Sequence, residues 1–348
     1  MNWFNQMSNE TAFVVFSAIK AIAGFSIMMF MVAYVVLAER RVCAFIQDRY
    51  GPNRAGPFGL LQPIADAVKA FIKEDFTPAH VRKVFFWLAP AIIMMPAIIN
   101  LAVIPFGSQL GKQPMVIADL NIGVLYIFGI ASLGVYGIVL AGYAANSKYP
   151  LIGGVRSAAQ LVSYEVAMAL SIIPVLMIAG SMSLQEIVGA QSGGFFKWFV
   201  FQQPLAFAIF LGASFAETNR TPFDLPEAEQ ELAGGYNVEY SAIKFAMFFM
   251  GEYANMILAS AVIVTLFFGG WTLPIFGLDK PAQTLLAGIA HICIFLSKLC
   301  FFLLVFIWTR WMFPRFRYDQ LMRLSWKAFV PLALINIAVT AILMWIKK

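Results

Sequence analysis

Long apolar runs follow one another along the whole of this 348-residue chain, and they constrain its architecture more than any single motif does. Eight of them reach about twenty residues, at approximately 12–38, 84–106, 122–145, 159–180, 198–216, 241–269, 284–308 and 328–346. At a rise of about 1.5 Å per residue, that length matches a hydrocarbon core about 30 Å thick. Charged residues make up only 12% of the chain, against roughly 25% in soluble domains. The expected core is a helical bundle in lipid, with an apolar exterior and few charges inside. The first run is too long for the apolar segment of a signal peptide and is followed by Glu39-Arg40-Arg41, so it reads as the first span.

Eight spans place both termini on one side, and the basic residues decide which. Segments 39–83, 146–158, 217–240 and 309–327 carry 16 of the 24 Lys and Arg; the opposite face carries five. Lys and Arg accumulate in cytoplasmic loops, so the four rich segments face the cytoplasm and the termini face the periplasm.

Segment 57–74 is apolar on one helical face (Leu61, Ile64, Ala65, Val68, Phe71, Ile72) and polar on the other (Gln62, Asp66, Lys69, Lys73). It is too short and too polar to span, which is the pattern of a helix lying in the interface. It forms either a packed connecting helix or a lip through which a lipid-like molecule enters. The expected fold is therefore all-α: a polytopic membrane helical bundle of eight transmembrane helices plus one interfacial amphipathic helix, a single domain over 1–348.

Other classes find little support. No clustered basic and aromatic surface suggests nucleic acid. Cys43, Cys293 and Cys300 form no C-x-x-C pair and read as buried small hydrophobes, and the two histidines make no metal pattern. Neither a phosphate-binding loop nor a dinucleotide turn is present, so no cofactor is assigned to this chain alone.

The unusual polar feature is Phe215 to Tyr240, FAETNRTPFDLPEAEQELAGGYNVEY. It holds six acids (Glu217, Asp224, Glu227, Glu229, Glu231, Glu239) and one base, Arg220. Pro222, Pro226, Gly234 and Gly235 impose specific turns, so it reads as a folded element facing a partner or a proton-bearing cavity. Within the spans, Glu165 lies roughly 10 Å and Glu252 roughly 18 Å from the cytoplasmic end. Intramembrane acids are costly and mark ion or proton pathways by default. Lys298 is too deep to reach water easily and reads as a counter-ion to a membrane acid. Lys244 either snorkels or pairs internally. Lys20 reads as a snorkelling anchor, and His291 as a hydrogen-bonded packing residue. In the first loop, Glu39, Gln47 and Asp48 are interleaved with Arg40, Arg41, Arg49 and Arg54, suggesting an ion-pair network.

ERR at 39–41, QDRYGPNR at 47–54, SAAQLVSYEVAM at 157–168, ETNRTPFDLPEAEQEL at 217–232, GYNVEYS at 235–241, GEYANM at 251–256 and FFGGW at 267–271 closely resemble one family. It is the H-subunit family of bacterial respiratory NADH:quinone oxidoreductase (complex I), whose mitochondrial counterpart is NADH dehydrogenase subunit 1. The resemblance runs from about Lys20 to Met344. It implies a bacterial plasma-membrane subunit that joins the peripheral electron-transfer arm to the antiporter-like membrane arm. Ubiquinone or menaquinone would be the substrate, and NADH, FMN and the iron–sulfur clusters would sit on partner subunits. It also implies a quinone tunnel lined by Glu39, Arg40 and Asp66. A proton path would run through Glu165, Glu217, Glu227, Glu229, Glu231 and Glu252, with Lys298 near the same region. No residue of the chain is assigned as catalytic or as a metal ligand.

Two other readings share these features. A lone secondary transporter also buries Glu and Lys, although Pro96 and Pro174 give no paired half-helix pattern. A related membrane-bound hydrogenase, or a dehydrogenase with another donor, would carry nearly the same chain. The co-purifying subunits would decide between them.

Overall fold

The computed structural model describes residues 9–110, 113–224, 234–275 and 277–347. In chain order its α-helices are α1 (Asn9–Ile46), α2 (Gln62–Ile72), α3 (Lys83–Asn100), α4 (Gly123–Ala131), α5 (Leu133–Ala144), α6 (Lys148–Ala179), α7 (Leu184–Ala190), α8 (Phe199–Gln202), α9 (Pro204–Glu217), α10 (Ala242–Phe267), α11 (Leu285–Met312), α12 (Tyr318–Arg323) and α13 (Val330–Lys347). A π-helical segment, Leu324–Phe329, joins α12 to α13. The described strands are the two-residue pair β1 (Gln109–Leu110) and β2 (Gln113–Pro114).

Seven of these stretches are long and apolar enough to cross a bilayer: Val15–Ile46, Lys83–Val103, Gly123–Ala144, Lys148–Ala179, Ala242–Phe267, Leu285–Met312 and Tyr318–Ile346. The apolar run at 198–216 is the exception. The chain is extended at Trp198 and bends again at Gln203, so the run divides into α8 and the 14-residue α9. Fourteen residues make about 21 Å of helix, short of a hydrocarbon core about 30 Å thick. Four helical stretches, α1, α6, α11 and α12–α13, outrun their apolar runs. α6 starts at Lys148, eleven residues before its apolar run, because a helix continues through polar sequence until its backbone is capped. Pro90, Pro96 and Pro174 all lie inside unbroken helices.

α10 sits at the centre, with most of its apolar length buried, while the last span is almost bare to the surroundings. One core cluster packs Phe210 of α9 and Phe302 and Phe306 of α11 against α10, whose own Phe267 joins them. A second, around Phe86, Ile138, Tyr236, Tyr240 and Phe248, ties α3 and α5 to the loop before α10. Small residues bring α5 and α6 close together. A Cβ on Gly142 would lie 2.5 Å from the Pro150 carbonyl oxygen. Close backbone approach through small residues is a main source of helix association in lipid. Gly142→Val is therefore expected to cost about 3 kcal/mol and to lower the amount of folded protein in membranes, read by immunoblot.

Segment 57–74 is not one helix. A helical turn at Pro57–Gly59 precedes α2, with Phe58 in the left-handed region at φ 53°. Gly59 must stay glycine: its φ is 71° and a Cβ would sit 2.1 Å from the Pro52 carbonyl oxygen. α2 itself is strongly amphipathic. Ile64, Phe71 and Ile72 point outward at 57%, 75% and 79% exposure, which no aqueous surface would favour.

The cysteines depart from expectation in part. Cys43 is buried, whereas Cys293 and Cys300 are exposed on α11, a face whose apolar neighbours Ile289, Phe301 and Leu304 are also exposed. In a bilayer, an outward-facing thiol is as apolar as its surroundings require, so burial inside the protein is not needed.

Candidate functional site

Along α1 and α10, residues spaced at three and four fall on one face and wall a single large space. α1 contributes Met29, Val32, Ala33, Val36, Glu39, Arg40 and Cys43, and α10 contributes Ala242, Phe245, Ala246, Phe249, Met250 and Tyr253. α2 closes it through Pro63, Asp66 and Lys69, with Lys73 just beyond its end, and Arg310 and Trp311 of α11 complete the wall. Its volume is about 830 Å³. The lining is mostly apolar, with charged side chains supplied by α1, α2 and α11, which suits an apolar molecule with a polar headgroup.

Glu39 is the hub of a buried group of ion pairs in this wall. It is 6% exposed. Its carboxylate pairs with Arg310, accepts the Tyr253 hydroxyl at 2.8 Å, and faces the Arg220 guanidinium at 3.4 Å. Arg220 also lies over the Tyr253 ring, 4.1 Å from its centroid. Its other terminal nitrogen lies 4.0 Å from Glu252, a through-space ion pair rather than a hydrogen bond. Burial opposes the Arg220 charge, but Tyr253, Glu252 and Glu39 outweigh it and hold the guanidinium above the ordinary arginine value. It is therefore a permanently charged group shared between two carboxylates.

Glu252 accepts the Tyr236 hydroxyl at 3.2 Å. It also opens on a second cavity, of about 40 Å³, lined by Glu165, Glu217, Asn255, Tyr236 and Thr218 among others. A neighbouring cavity of about 30 Å³ shares Glu217, Thr218 and Asn255 and continues between apolar side chains of α4 and α10. Each is large enough for a water molecule. Glu165, Glu217 and Glu252, from α6, α9 and α10, thus converge on one interior space instead of facing lipid.

The loop that carries Arg220 is held from three sides. Gln160, fully buried in α6, donates to the carbonyls of Ala216 and Phe223 and to the Asn219 side chain. The Phe316 amide donates to the Pro222 carbonyl, and Arg315 pairs with Asp224 at 3.0 Å. Glu239, at the far end of the acidic stretch, faces His80 at 3.7 Å. Glu227, Glu229 and Glu231 lie outside the described residues.

The first-loop network exists in part locally, where Arg49 donates to Gln47 at 2.8 Å, but its ion pairs reach partners distant in sequence. Glu39 binds Arg220 and Arg310 rather than the adjacent arginines, and Arg40 pairs with Asp66 of α2 at 2.7 Å. That last pair is more than a third exposed and is worth at most about 1 kcal/mol. Its value is geometric, since it holds α2 against α1 beside the large cavity.

Lys298 pairs with no carboxylate among the described residues. Its ammonium donates to the carbonyls of Phe268, Gly270 and Thr272 at 2.7–3.0 Å and lies 4.5 Å from the Trp198 ring centroid. It lines neither the large cavity nor the acidic one. The physical reason is that α10 ends at Phe267, so its cap Phe268 and the turn that follows turn their carbonyls toward Lys298, where the end of the helix also carries partial negative charge. Lys298→Met is expected to destabilise the protein by about 2–4 kcal/mol, seen as a lower unfolding temperature in detergent. Lys20 similarly donates to the Val116 carbonyl at 2.9 Å. His291 is buried against Trp271 and bonded to Ser108, as a packing residue should be.

Arg310, Tyr253, Tyr236 and Gln160 are not distinguished by the sequence as site residues. Arg220 alone of this group carries a signal, as the lone base in an acidic stretch.

The fold and the site together define a multi-pass membrane protein with an apolar cavity whose wall is wired by buried ion pairs to a group of carboxylates. The chain belongs to the NADH dehydrogenase family, whose model matches residues 19–341. It is 48% identical over 346 residues to the NADH-quinone oxidoreductase H subunit of Flavobacterium psychrophilum, covering 97% of this chain and all of that one. Over 347 residues it is 50% identical to the NADH-quinone oxidoreductase H subunit numbered 2 of Geobacter metallireducens, with 95% and 96% of the two chains covered. The corresponding H subunit numbered 2 of Koribacter versatilis is 46% identical over 360 residues, covering 98% of this chain and all of that one. The expected kinship with the H subunit of an oxidoreductase complex is met.

Proposed function

We propose that the chain is the membrane subunit of a proton-pumping NADH-quinone oxidoreductase that admits the quinone and couples its reduction to proton movement. The large cavity between α1, α2 and α10 takes the quinone, ubiquinone or menaquinone, with Glu39, Arg40 and Asp66 on its wall. NADH, FMN and iron–sulfur clusters belong to partner subunits, and the antiporter-like arm receives the protons. One domain of eight spans crosses a bacterial inner membrane, with α8 and α9 together serving as the eighth crossing and α2 lying in the interface. Both termini face the periplasm.

One observation carries this reading: Arg220 touches Glu39 in the cavity wall and Glu252 in the carboxylate group. Two unit charges 4 Å apart interact by about 4 kcal/mol at an effective dielectric near 20. A negative charge arriving in the cavity draws Arg310 and Arg220 toward it and away from Glu252. Glu252 then takes a proton from the acidic cavity it shares with Glu165 and Glu217. Glu227, Glu229 and Glu231 extend the same path by family resemblance, whereas Lys298 stands apart from it on the carbonyls after α10.

A photoreactive quinone analogue added to the purified complex is expected to label the 29–43 or 245–253 stretch. Labelling confined to other subunits would contradict the assignment. The proteins that co-purify with the chain separate this reading from a hydrogenase or another donor-specific complex.

A further inference from the structure

Lys244 is buried at 3% exposure near the start of α10, although α10 is otherwise apolar around it. Its ammonium is fully engaged. It pairs with Asp75 at 3.0 Å, donates to the Thr77 hydroxyl at 3.0 Å, and stands over the Trp87 ring at 3.7 Å and the Phe86 ring at 5.1 Å. Asp75 and Thr77 belong to the extended segment that leaves α2, and Trp87 and Phe86 belong to α3. A lone buried ammonium is costly, and this one is tolerated because the segment it holds and the rings of α3 supply its partners.

The position of this contact gives it a consequence. Asp75 lies two residues beyond Lys73, which lines the large cavity, while Ala242, Phe245 and Ala246 around Lys244 line the same cavity from α10. α2 is therefore fastened twice, near its middle and just beyond its C-terminal end. Arg40 of α1 holds Asp66, and Lys244 of α10 holds the segment after Lys73. The first pair is exposed and weak. In the second the ammonium is buried, so loss of its carboxylate partner leaves a charge with no aqueous shell to fall back on.

We propose that Lys244 is a positioning residue that fixes the separation of the two cavity walls supplied by α2 and α10, and so sets how well a long-tailed quinone is accepted. The proposal rests on the cavity being the quinone passage. Lys244 touches no cavity space itself and acts through Asp75 and α2. Removing the clamp loosens the α2 wall without altering the ion pairs at Glu39. The effect falls on the binding of the tail, not on the turnover of bound quinone.

The test uses the whole complex in nanodiscs, with Lys244→Met, Asp75→Asn and the conservative Lys244→Arg. Spin labels on cysteines introduced at Ala67 and Phe249 report the distance between the two walls, and steady-state kinetics are run with a short-tailed and a long-tailed quinone. Lys244→Met and Asp75→Asn are expected to broaden the distance distribution. KM for the long-tailed quinone should rise about tenfold, with kcat within about twofold and the short-tailed KM little changed. Lys244→Arg should restore most of both. An unchanged distance distribution in Lys244→Met overturns the clamp. A broadened distribution with an unchanged long-tail KM, in a complex whose cavity still takes the photoreactive quinone, overturns its role in acceptance. Failure of that labelling in the unsubstituted complex instead removes the passage reading, while the distance result still reports on the clamp alone.

Discussion

Arg220→Met should abolish most coupled activity while leaving the fold recognisable. The substitution keeps much of the length and the apolar stem of the side chain but removes the cation shared by Glu39 and Glu252. Glu39 retains Arg310 and the Tyr253 hydroxyl, so the cavity wall keeps its charge balance. Glu252 loses Arg220 altogether. Breaking one partner out of a buried charge group costs about 3–5 kcal/mol, enough to lower the amount of assembled complex as well as its rate. NADH-driven quinone reduction by the complex that does assemble is expected to drop about tenfold or more, with proton pumping falling further. Arg220→Lys is the informative companion. It keeps the charge but loses the planar fork that reaches two carboxylates and covers Tyr253, so it should recover assembly more fully than pumping. Normal rates and normal pumping in Arg220→Met would show that the two carboxylates need no common cation.

Glu252→Gln probes the other side of the same contact. Glutamine is nearly the same shape and can still accept the Tyr236 hydroxyl, so packing in the centre of α10 should survive. What it cannot do is change charge when Arg220 moves. Protons pumped per NADH in proteoliposomes should therefore fall severalfold, whereas electron transfer to the quinone should fall less. Glu165→Gln is expected to behave alike because Glu165 and Glu252 line one cavity. The double variant should be little worse than either single one, since residues acting as one unit are strongly non-additive. Additive losses would mean two independent routes.

These sites differ in how well the sequence exposes them. Glu165 and Glu252 stand out because a carboxylate in an apolar run is expensive and rare. Arg220 stands out as the one base among six acids. What the sequence does not reveal is pairing. Glu39 finds Arg310 across 271 residues and Arg220 across 181, and nothing in the intervening chain encodes either meeting. Lys298 shows the same limit from the other side. A deep lysine asks for a negative partner, but the carbonyls at the end of any helix answer that need as well as a carboxylate does. Tyrosines such as Tyr236 and Tyr253 are invisible for a different reason: their bulk suits an apolar face, and only the fold shows where the hydroxyl points.

The spans follow the same logic. Hydropathy reports where a helix crosses lipid, so the run at 241–269 and α10 nearly coincide. It does not report where a helix stops, and α6 therefore extends well beyond its apolar run into the sequence around Lys148 and Arg156. At 198–216 composition is largely apolar, yet the backbone turns at Gln203–Pro204, because proline begins a helix more readily than it continues one.

On the proposed route, charge arriving in the large cavity is felt at Glu252 through Arg220, which pairs with Glu39 on one side and Glu252 on the other. Infrared difference spectra of the complex, recorded between oxidised and reduced quinone, read that transfer directly. The unsubstituted complex should show a carboxylic-acid band that disappears in Glu252→Gln and is absent or greatly weakened in Arg220→Met. The same band at full strength in Arg220→Met would mean that the carboxylates sense the quinone by another route.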